Sequence, residues 1–330
     1  MNEAIDVRRR ILRCLGAEGF SSGERLGLAA GISRAAVWKH IRALRAAGLE
    51  IEAVRGRGYR LRRAVEWLDR MAVLEAMDPA PRDRLRGLDL LLETDSTNSC
   101  MLRHAAAGGE APWACLAEWQ RAGRGRRGRS WYSPAGGNVY LSVLERWPAG
   151  MVALQGLGPA VAVEAARALA DCGIRVGWKW PNDLWCGARK CGGVLIEARG
   201  EMEGPCEVIV GIGINTAMPA AADAHIDQPW TVAGVPEQPT AACSRNRLAG
   251  RLLGRIVDLL QHFPRRGFGP WREIWPGGDV LREREVRIEG PGGIREGRVV
   301  GIGAAGELLL RRGGRVESVH SGEVTVRPAW

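Results

Sequence analysis

No stretch of this chain is apolar enough to cross a membrane as a helix. A span needs ~20 residues, and the strongest candidate, residues 151–170, is interrupted by Gln155, Glu164 and Arg167. The N-terminus also lacks the apolar core of a signal peptide: Glu3, Asp6 and arginines 8, 9 and 10 stand there instead. A cytoplasmic protein without membrane contact is expected. Cysteines are present at 14, 100, 115, 172, 186, 191, 206 and 243, but they form no CxxC. The nearest pair, Cys186 and Cys191, has no His or Cys partners at zinc-ligand spacing, so reduced thiols and no protein-only metal cluster are expected. No Walker loop or Rossmann fingerprint occurs. Gly301-Ile302-Gly303-Ala304-Ala305-Gly306 fits GxGxxG by letter, yet strand-like Leu308, Leu309 and Leu310 follow it where a helix would be required.

What is present is an ordinary globular composition, 46% apolar and 25% charged, over 330 residues. That length predicts two or three domains. The formal charge of +10 is unevenly spread. Residues 1–63 carry 14 Lys/Arg against 6 Asp/Glu, a net of +8, while the remaining 267 carry 33 against 31, a net of +2. This asymmetry fits a basic module for a polyanion joined to a near-neutral body, and equally a solvated cationic face with no partner.

Helical patterning in the basic part sharpens that reading. Val7, Ile11, Leu12 and Leu15 fall at helical spacing. Ser21 or Ser22 can cap a short second helix around Leu26, Gly31 makes a turn, and Ser33 can cap a third helix over residues 34–46. Two helices joined by a tight glycine turn are the helix-turn-helix pattern. Val37, Ile41 and Leu44 make the inward stripe of the third helix, leaving Arg34, Trp38, Lys39, Arg42 and Arg45 off it. Such a face suits a major groove. Residues 49–54 and 59–61 read as two strands around an Arg55-Gly56-Arg57-Gly58 turn, a wing with two arginines at its tip. Residues 64–87 read as a linker with one helix over 70–77, capped by Asp69 and stopped by Asp78-Pro79-Ala80-Pro81.

In the body, a strand over 88–93 ends in Thr94-Asp95-Ser96-Thr97-Asn98. These side chains can cap the next helix or present donors and acceptors to a small polar ligand. Residues 120–129, QRAGRGRRGR, hold five arginines and three glycines. The stretch occurs once between apolar segments, which favours a loop of a folded sheet that cradles a phosphate or carboxylate over an RNA-binding tract. Further on, Lys179 leads into a Pro181-Asn182-Asp183 turn, and Lys190 opens a strand beside Gly192 and Gly193.

In order and spacing these segments are specific. Glu93-Thr94-Asp95-Ser96-Thr97-Asn98, GRGRRGR at 123–129, NVYLS at 138–142, KWPNDL at 179–184, Lys190 with its strand, and GIGIN at 211–215 closely resemble the bifunctional biotin–protein ligase and biotin operon repressor family of bacteria, over essentially the whole length. SRAAVWKHI at 33–41 is similar to the DNA-reading helix of the repressor subset.

The resemblance implies an α/β multidomain protein. A winged helix-turn-helix would occupy 1–63, a linker with a short helix 64–87, a class II synthetase-like α/β catalytic domain 88–276, and an SH3-like β-barrel 277–330. It implies that Ser96, Thr97, Asn98, Gln120, Arg124, Gly125, Arg126 and Lys190 contact biotin or its adenylate, with Tyr140, Leu195 and Gly211 lining the same pocket. Arg126, Arg129, Lys190, Asn215 and Trp230 would serve ATP and the adenylate. Lys190, Arg124, Arg126 and Asp183 would carry the chemistry, Asp183 either with Mg²⁺ or by orienting the incoming lysine. Gly23, Ser33, Arg34, Ala35, Trp38, Lys39, Arg42, Arg55 and Arg57 would meet DNA. Cys191 departs from the aliphatic residue more usual after the lysine and should act as a small hydrophobe. The implied reaction joins biotin to ATP, giving biotinyl-5′-AMP, and passes biotin to a lysine of the biotin carboxyl carrier protein of acetyl-CoA carboxylase. Operator DNA and a homodimer formed with biotinyl-5′-AMP bound are the other implied partners. The alternatives are a metabolite-sensing winged-helix repressor without catalysis, and a ligase without operator binding.

Overall fold

A computed structural model of the chain describes residues 3–234, 243–290, 293–320 and 325–328. Its first part is three helices, α1 (Glu3–Cys14), α2 (Gly23–Ala30) and α3 (Arg34–Ala46), followed by the hairpin β1 (Ile51–Val54) and β2 (Gly58–Leu61). The expected caps are in place. Ser22 accepts from the Arg25 amide at 3.1 Å and Ser33 from the Ala36 amide at 3.2 Å, satisfying N–H groups that the first helical turn leaves open. Gly31 ends α2 with φ +70°, where a side chain would be strained. Val37, Ile41 and Leu44 are buried with Ile11, Leu12 and Leu26. This small core also takes in Leu92, Trp119 and Ala135 from the body of the protein.

The segment expected to hold one helix holds two, α4 (Arg70–Glu75) and α5 (Pro79–Arg84). Pro79 does not simply stop the chain. A proline at the first helical position lacks only an N–H that has no partner there, and its fixed φ suits the turn.

The body is a seven-stranded sheet. Its elements run β3 (Gly87–Thr94), α6 (Thr97–Ala106), β4 (Trp113–Gln120), β5 (Val139–Trp147), α7 (Leu157–Ala170), β6 (Gly177–Lys179), β7 (Asp183–Cys186), β8 (Arg189–Gly200) and β9 (Cys206–Ile214), then α8 (Arg245–Arg266) and α9 (Gly269–Ile274). The strand order is β3-β4-β5-β9-β8-β7-β6. Only β3 and β4 pair in parallel. On β5, Val139, Leu141 and Val143 face the core shared with α7 and α8, while Leu144 packs with Met101 and Ala105 of α6 on the opposite face. The alternation of a strand covered on both faces explains why 139–144 is apolar almost throughout.

The C-terminal part is a five-stranded antiparallel sheet of β10 (Glu285–Gly290), β11 (Gly293–Ile302), β12 (Leu308–Arg312), β13 (Arg315–Val319) and β14 (Thr325–Pro328), ordered β13-β12-β11-β10-β14. β13 ends at Val319, residues 321–324 lie outside the described residues, and β14 returns to pair with β10. The inner residues Val286, Ile288, Leu308, Leu310 and Val326 join the core of the body. Trp180 adds a polar tie, its indole N–H donating to the Gly306 carbonyl at 2.9 Å.

Candidate functional site

The strand ends and loops on one side of the large sheet enclose a cavity of about 770 Å³, within the usual range for small-molecule sites. It brings together Ser96, Thr97, Asn98, Gln120, Arg124, Gly125, Arg126, Arg129, Asp183, Lys190, Leu195, Gly211, Asn215 and Trp230, residues spread over 135 positions of sequence from 96 to 230. Tyr140 is the one expected ligand contact not among the lining residues. Its ring is fully buried, its hydroxyl donates to the Pro134 carbonyl at 3.0 Å and accepts from Asn138 at 2.9 Å, and burial pushes its phenol pKa up.

Each group reaches the cavity for a local reason. β3 ends at Thr94, and the next residues open α6, so Ser96, Thr97 and Asn98 sit at a strand-to-helix corner. The Thr97 amide and hydroxyl both donate to Gln120 Oε1, at 2.8 and 3.1 Å. Gln120 Nε2 donates to Ser133 Oγ at 2.8 Å, and Ser133 Oγ donates to the Trp131 carbonyl at 2.9 Å, which pins both roots of the arginine loop. Asp95, beside this corner, is held by a bidentate pair from Arg103 at 2.7 and 2.9 Å, and that guanidinium keeps its carboxyl well below the usual carboxylate range. On the floor, Gly211 leaves the space that Asn98 fills, since a Cβ there would collide with the Asn98 amide. A Cβ on Gly213 would lie 2.6 Å from the Trp131 indole nitrogen, so that ring also depends on a missing side chain.

Charge decides what the cavity can hold. Arg124, Arg126, Arg127, Arg129, Lys179, Lys190 and Arg327 line it, against the carboxylates of Asp183 and Asp227. Cations in such excess within a partly enclosed site select an anionic ligand. Lys190 Nζ lies 2.7 Å from Asp183 Oδ1 and 5.3 Å from the Trp131 ring centre. Its backbone N–H donates to the Pro229 carbonyl at 3.1 Å, fastening the segment that carries Trp230. Arg126 donates to Asn182 Oδ1 at 3.3 Å, and burial pushes its guanidinium pKa down. Lys179 stands over the Trp185 ring at 4.8 Å; burial lowers its pKa to about 8 against the opposing pull of Asp183, and Lys190, Arg327 and Arg129 push it down further. Asn215 is fixed by its backbone N–H, which donates to the Cys191 carbonyl at 2.8 Å. Cys191 is buried, and burial pushes its thiol up to about 12, as befits a small packing residue. Among the described residues no three His, Cys, Asp or Glu side chains gather to hold a metal.

Sequence comparison finds three family profiles along the chain. The profile of the Biotin/lipoate A/B protein ligase family matches residues 92–215, an HTH domain profile matches 7–60, and the Biotin protein ligase C terminal domain profile matches 283–327. The chain is 34% identical over 313 residues to the bifunctional ligase/repressor BirA of Salmonella typhimurium, covering 94% of each chain. It is 33% identical over 326 residues to the protein of the same name from Escherichia coli, covering 98% of each. The chain belongs to the bifunctional biotin ligase/repressor family. Among solved structures, the biotin protein ligase of Aquifex aeolicus in complex with biotin and ATP superposes with a TM-score of 0.59 at 26% identity, covering 74% of this chain and all of that one.

The residues expected to meet DNA in this ligase/repressor homologue are not among those that line the cavity. Ser33, Arg34, Ala35, Trp38, Lys39 and Arg42 on α3, and Arg55 and Arg57 on the wing, are exposed, while Gly23 is half-buried against Arg34 at the start of α2. Sequence reasoning passed over several residues of the cavity. Lys179 and Asn182 lie inside the quoted KWPNDL run and could have been singled out for charge and amide. Arg327 has no local signal, because only the return of β14 beside β10 brings it to the mouth. Ser142 and Glu197 were missed because they stand behind the wall, bonded to residues that line it.

Proposed function

We propose that the protein is a biotin–protein ligase that also acts as a biotinyl-5′-AMP-dependent repressor of the biotin biosynthesis operon. In the first step a biotin carboxylate oxygen attacks the α-phosphorus of ATP, the α–β bridging P–O bond breaks, and pyrophosphate leaves. In the second, a lysine amine of the biotin carboxyl carrier protein of acetyl-CoA carboxylase attacks the acyl carbon. The acyl C–O bond breaks, AMP leaves, and the amine proton passes to solvent. The observation that carries this reading is the convergence of the 96–98 corner, the arginine loop and Lys190 on one cation-rich cavity.

Both steps gather negative charge on oxygens, and fixed cations stabilise it without reorganising. Lys190 neutralises the carboxylate and α-phosphate as they approach, and Arg126 with Arg129 holds the adenylate. Asn215 and Trp230 take the adenine. Ser96, Thr97, Asn98, Gln120, Arg124, Gly125, Leu195 and Gly211 form the biotin end, with Tyr140 supporting it from the core. Mg²⁺ would be held chiefly by phosphate oxygens, with Asp183 the protein carboxylate on that side, and would neutralise the departing pyrophosphate. The division of labour follows 1–63 for DNA, 64–87 as the connection, 88–276 for catalysis and 277–330 as the C-terminal cover. No helix of the described residues is long and apolar enough to cross a membrane, in keeping with a cytoplasmic protein.

Biotin-dependent exchange of labelled pyrophosphate into ATP tests the ligase. The exchange is expected without carrier protein. Its absence, in a chain that still binds biotin and DNA, would leave a metabolite-sensing repressor instead.

A further inference from the structure

Glu197, on β8, is absent from every expectation raised by the sequence, and it does not line the cavity. Its Oε2 nevertheless accepts two bonds from residues that do, one from Arg124 Nη2 at 2.9 Å and one from Asn98 Nδ2 at 2.8 Å. We propose that Glu197 is a positioning residue for biotin recognition, fixing the Asn98 amide and the Arg124 guanidinium from behind the wall in the orientation that meets the ligand. The inference rests on the reading that this cavity takes biotin.

The carboxylate decides which way the Asn98 amide points. An ionised carboxylate only accepts hydrogen bonds, so it selects the amide nitrogen. The Asn98 oxygen is then turned to Ser142, whose hydroxyl donates to it at 2.6 Å. A reversed amide would set the Asn98 oxygen against the carboxylate, two acceptors with no proton between them. The second Asn98 N–H is only loosely held, 3.5 Å from the Leu195 carbonyl, and is the donor available to a ligand. From Asn98 close polar contacts run through Ser142 and Thr97 to Gln120 and Ser133, so one acid is linked to both roots of the arginine loop.

For Arg124 the argument is one of entropy. Its long side chain lies between Gly123 and Gly125, where the backbone restrains it least. Holding such a side chain in one rotamer costs free energy that an unpartnered arginine would take from ligand binding. The pair is partly exposed, 40% for Arg124 and 25% for Glu197, which weakens it as a source of stability but not as a restraint on direction.

The test compares steady-state constants of the full chain in biotin-dependent pyrophosphate exchange. Glu197→Ala is expected to raise KM for biotin about ten-fold, the scale of one charged hydrogen bond, with KM for ATP within about two-fold of the parent. Glu197→Gln keeps an acceptor oxygen at the same reach and should recover most of the loss. Glu197→Asp, one methylene shorter, should not. In Glu197→Ala/Arg124→Ala, the rise in KM for biotin should fall short of the product of the two single effects, since part of what Glu197 does is done through Arg124. An unchanged biotin KM in Glu197→Ala, an equal rise in both KM values, or full multiplication of the two single effects would overturn the inference. A parent chain that neither exchanges nor binds biotin would overturn the biotin-ligase reading as well, whereas an active parent with any of those three results overturns only the role of Glu197.

Discussion

Lys190 combines reach and charge in a way no neighbour duplicates. Its ammonium sits 2.7 Å from Asp183 while facing the cavity. Removing it takes away a cation and leaves the acid unpaired beside an anionic ligand. Lys190→Ala should therefore lower both adenylation and transfer about ten-fold or more. Lys190→Arg should recover only part, because a planar guanidinium cannot replace a compact ammonium in a space shaped for it. Parental turnover in Lys190→Ala would remove this residue from the mechanism. Lys179 makes a separate prediction about pH. With its pKa at about 8, it is charged below that pH and adds a cation to the site, and above it the neutral amine adds none. The kcat/KM for ATP should fall as pH rises through about 8 in the parent, and the fall should be smaller in Lys179→Arg. An identical profile in the variant would show that another group is titrating. The same depressed pKa disfavours the charged form on folding. Its cost to stability is present below pH 8 and fades as pH rises from about 8 toward the ordinary lysine range.

At the scale of elements, the proposed function gives the arginine loop and the reading helix separable roles. The loop presents Arg126 half-buried against Asn182, so its loss should be felt as faster escape of the intermediate. Arg126→Ala should speed release of biotinyl-5′-AMP about ten-fold or more and free it to label nearby lysines. An unchanged off-rate would separate the loop from the adenylate. On α3, Arg34 and Lys39 are exposed at the N-terminal half, where they can reach phosphates. Affinity for operator DNA should drop steeply between about 50 and 200 mM salt, and Arg34→Ala or Lys39→Ala should each reduce the salt slope by roughly one. A flat salt response would argue against phosphate-dominated docking.

These two elements were also the most legible in the sequence, because their signals are local. Ser22, Gly31 and Ser33 mark caps and a turn, and 123–129 concentrates glycine and arginine in one run. The start of α5 was misjudged because Pro79 was weighed as a stop, when its position after Asp78 also suits a helix opening. Arg327, Ser142 and Glu197 were illegible for a different reason: each becomes relevant through sheet register or a returning strand, which no neighbouring residue announces.

Across the whole molecule, the DNA reader and the cavity share structure. Leu92, Trp119 and Ala135 of the body complete the core of the winged helix, and the Ala135 amide donates to the Ala47 carbonyl at 2.7 Å. Arg8 of α1 pairs with Glu93, three residues before Ser96, and Arg9 donates to the Leu90 carbonyl at 3.1 Å. These contacts tie α1 to β3, the strand that leads into the Ser96–Asn98 corner of the cavity. The loop at 123–129 is costly to order because of its glycines and its like charges, and an adenylate that neutralises the arginines lowers that cost. In the proposed function, ordering the loop would complete a surface on which two chains associate, and two chains would set two reading helices on one DNA face. On this proposal a single intermediate, biotinyl-5′-AMP, serves both activities. Sedimentation of the full chain at matched concentrations, with and without a non-hydrolysable biotinyl-5′-AMP analogue, measures it directly. The analogue should tighten self-association by about 5- to 150-fold, the range of roughly 1–3 kcal/mol typical of such coupling. A monomer–dimer constant that does not move when the analogue is bound would contradict the claim.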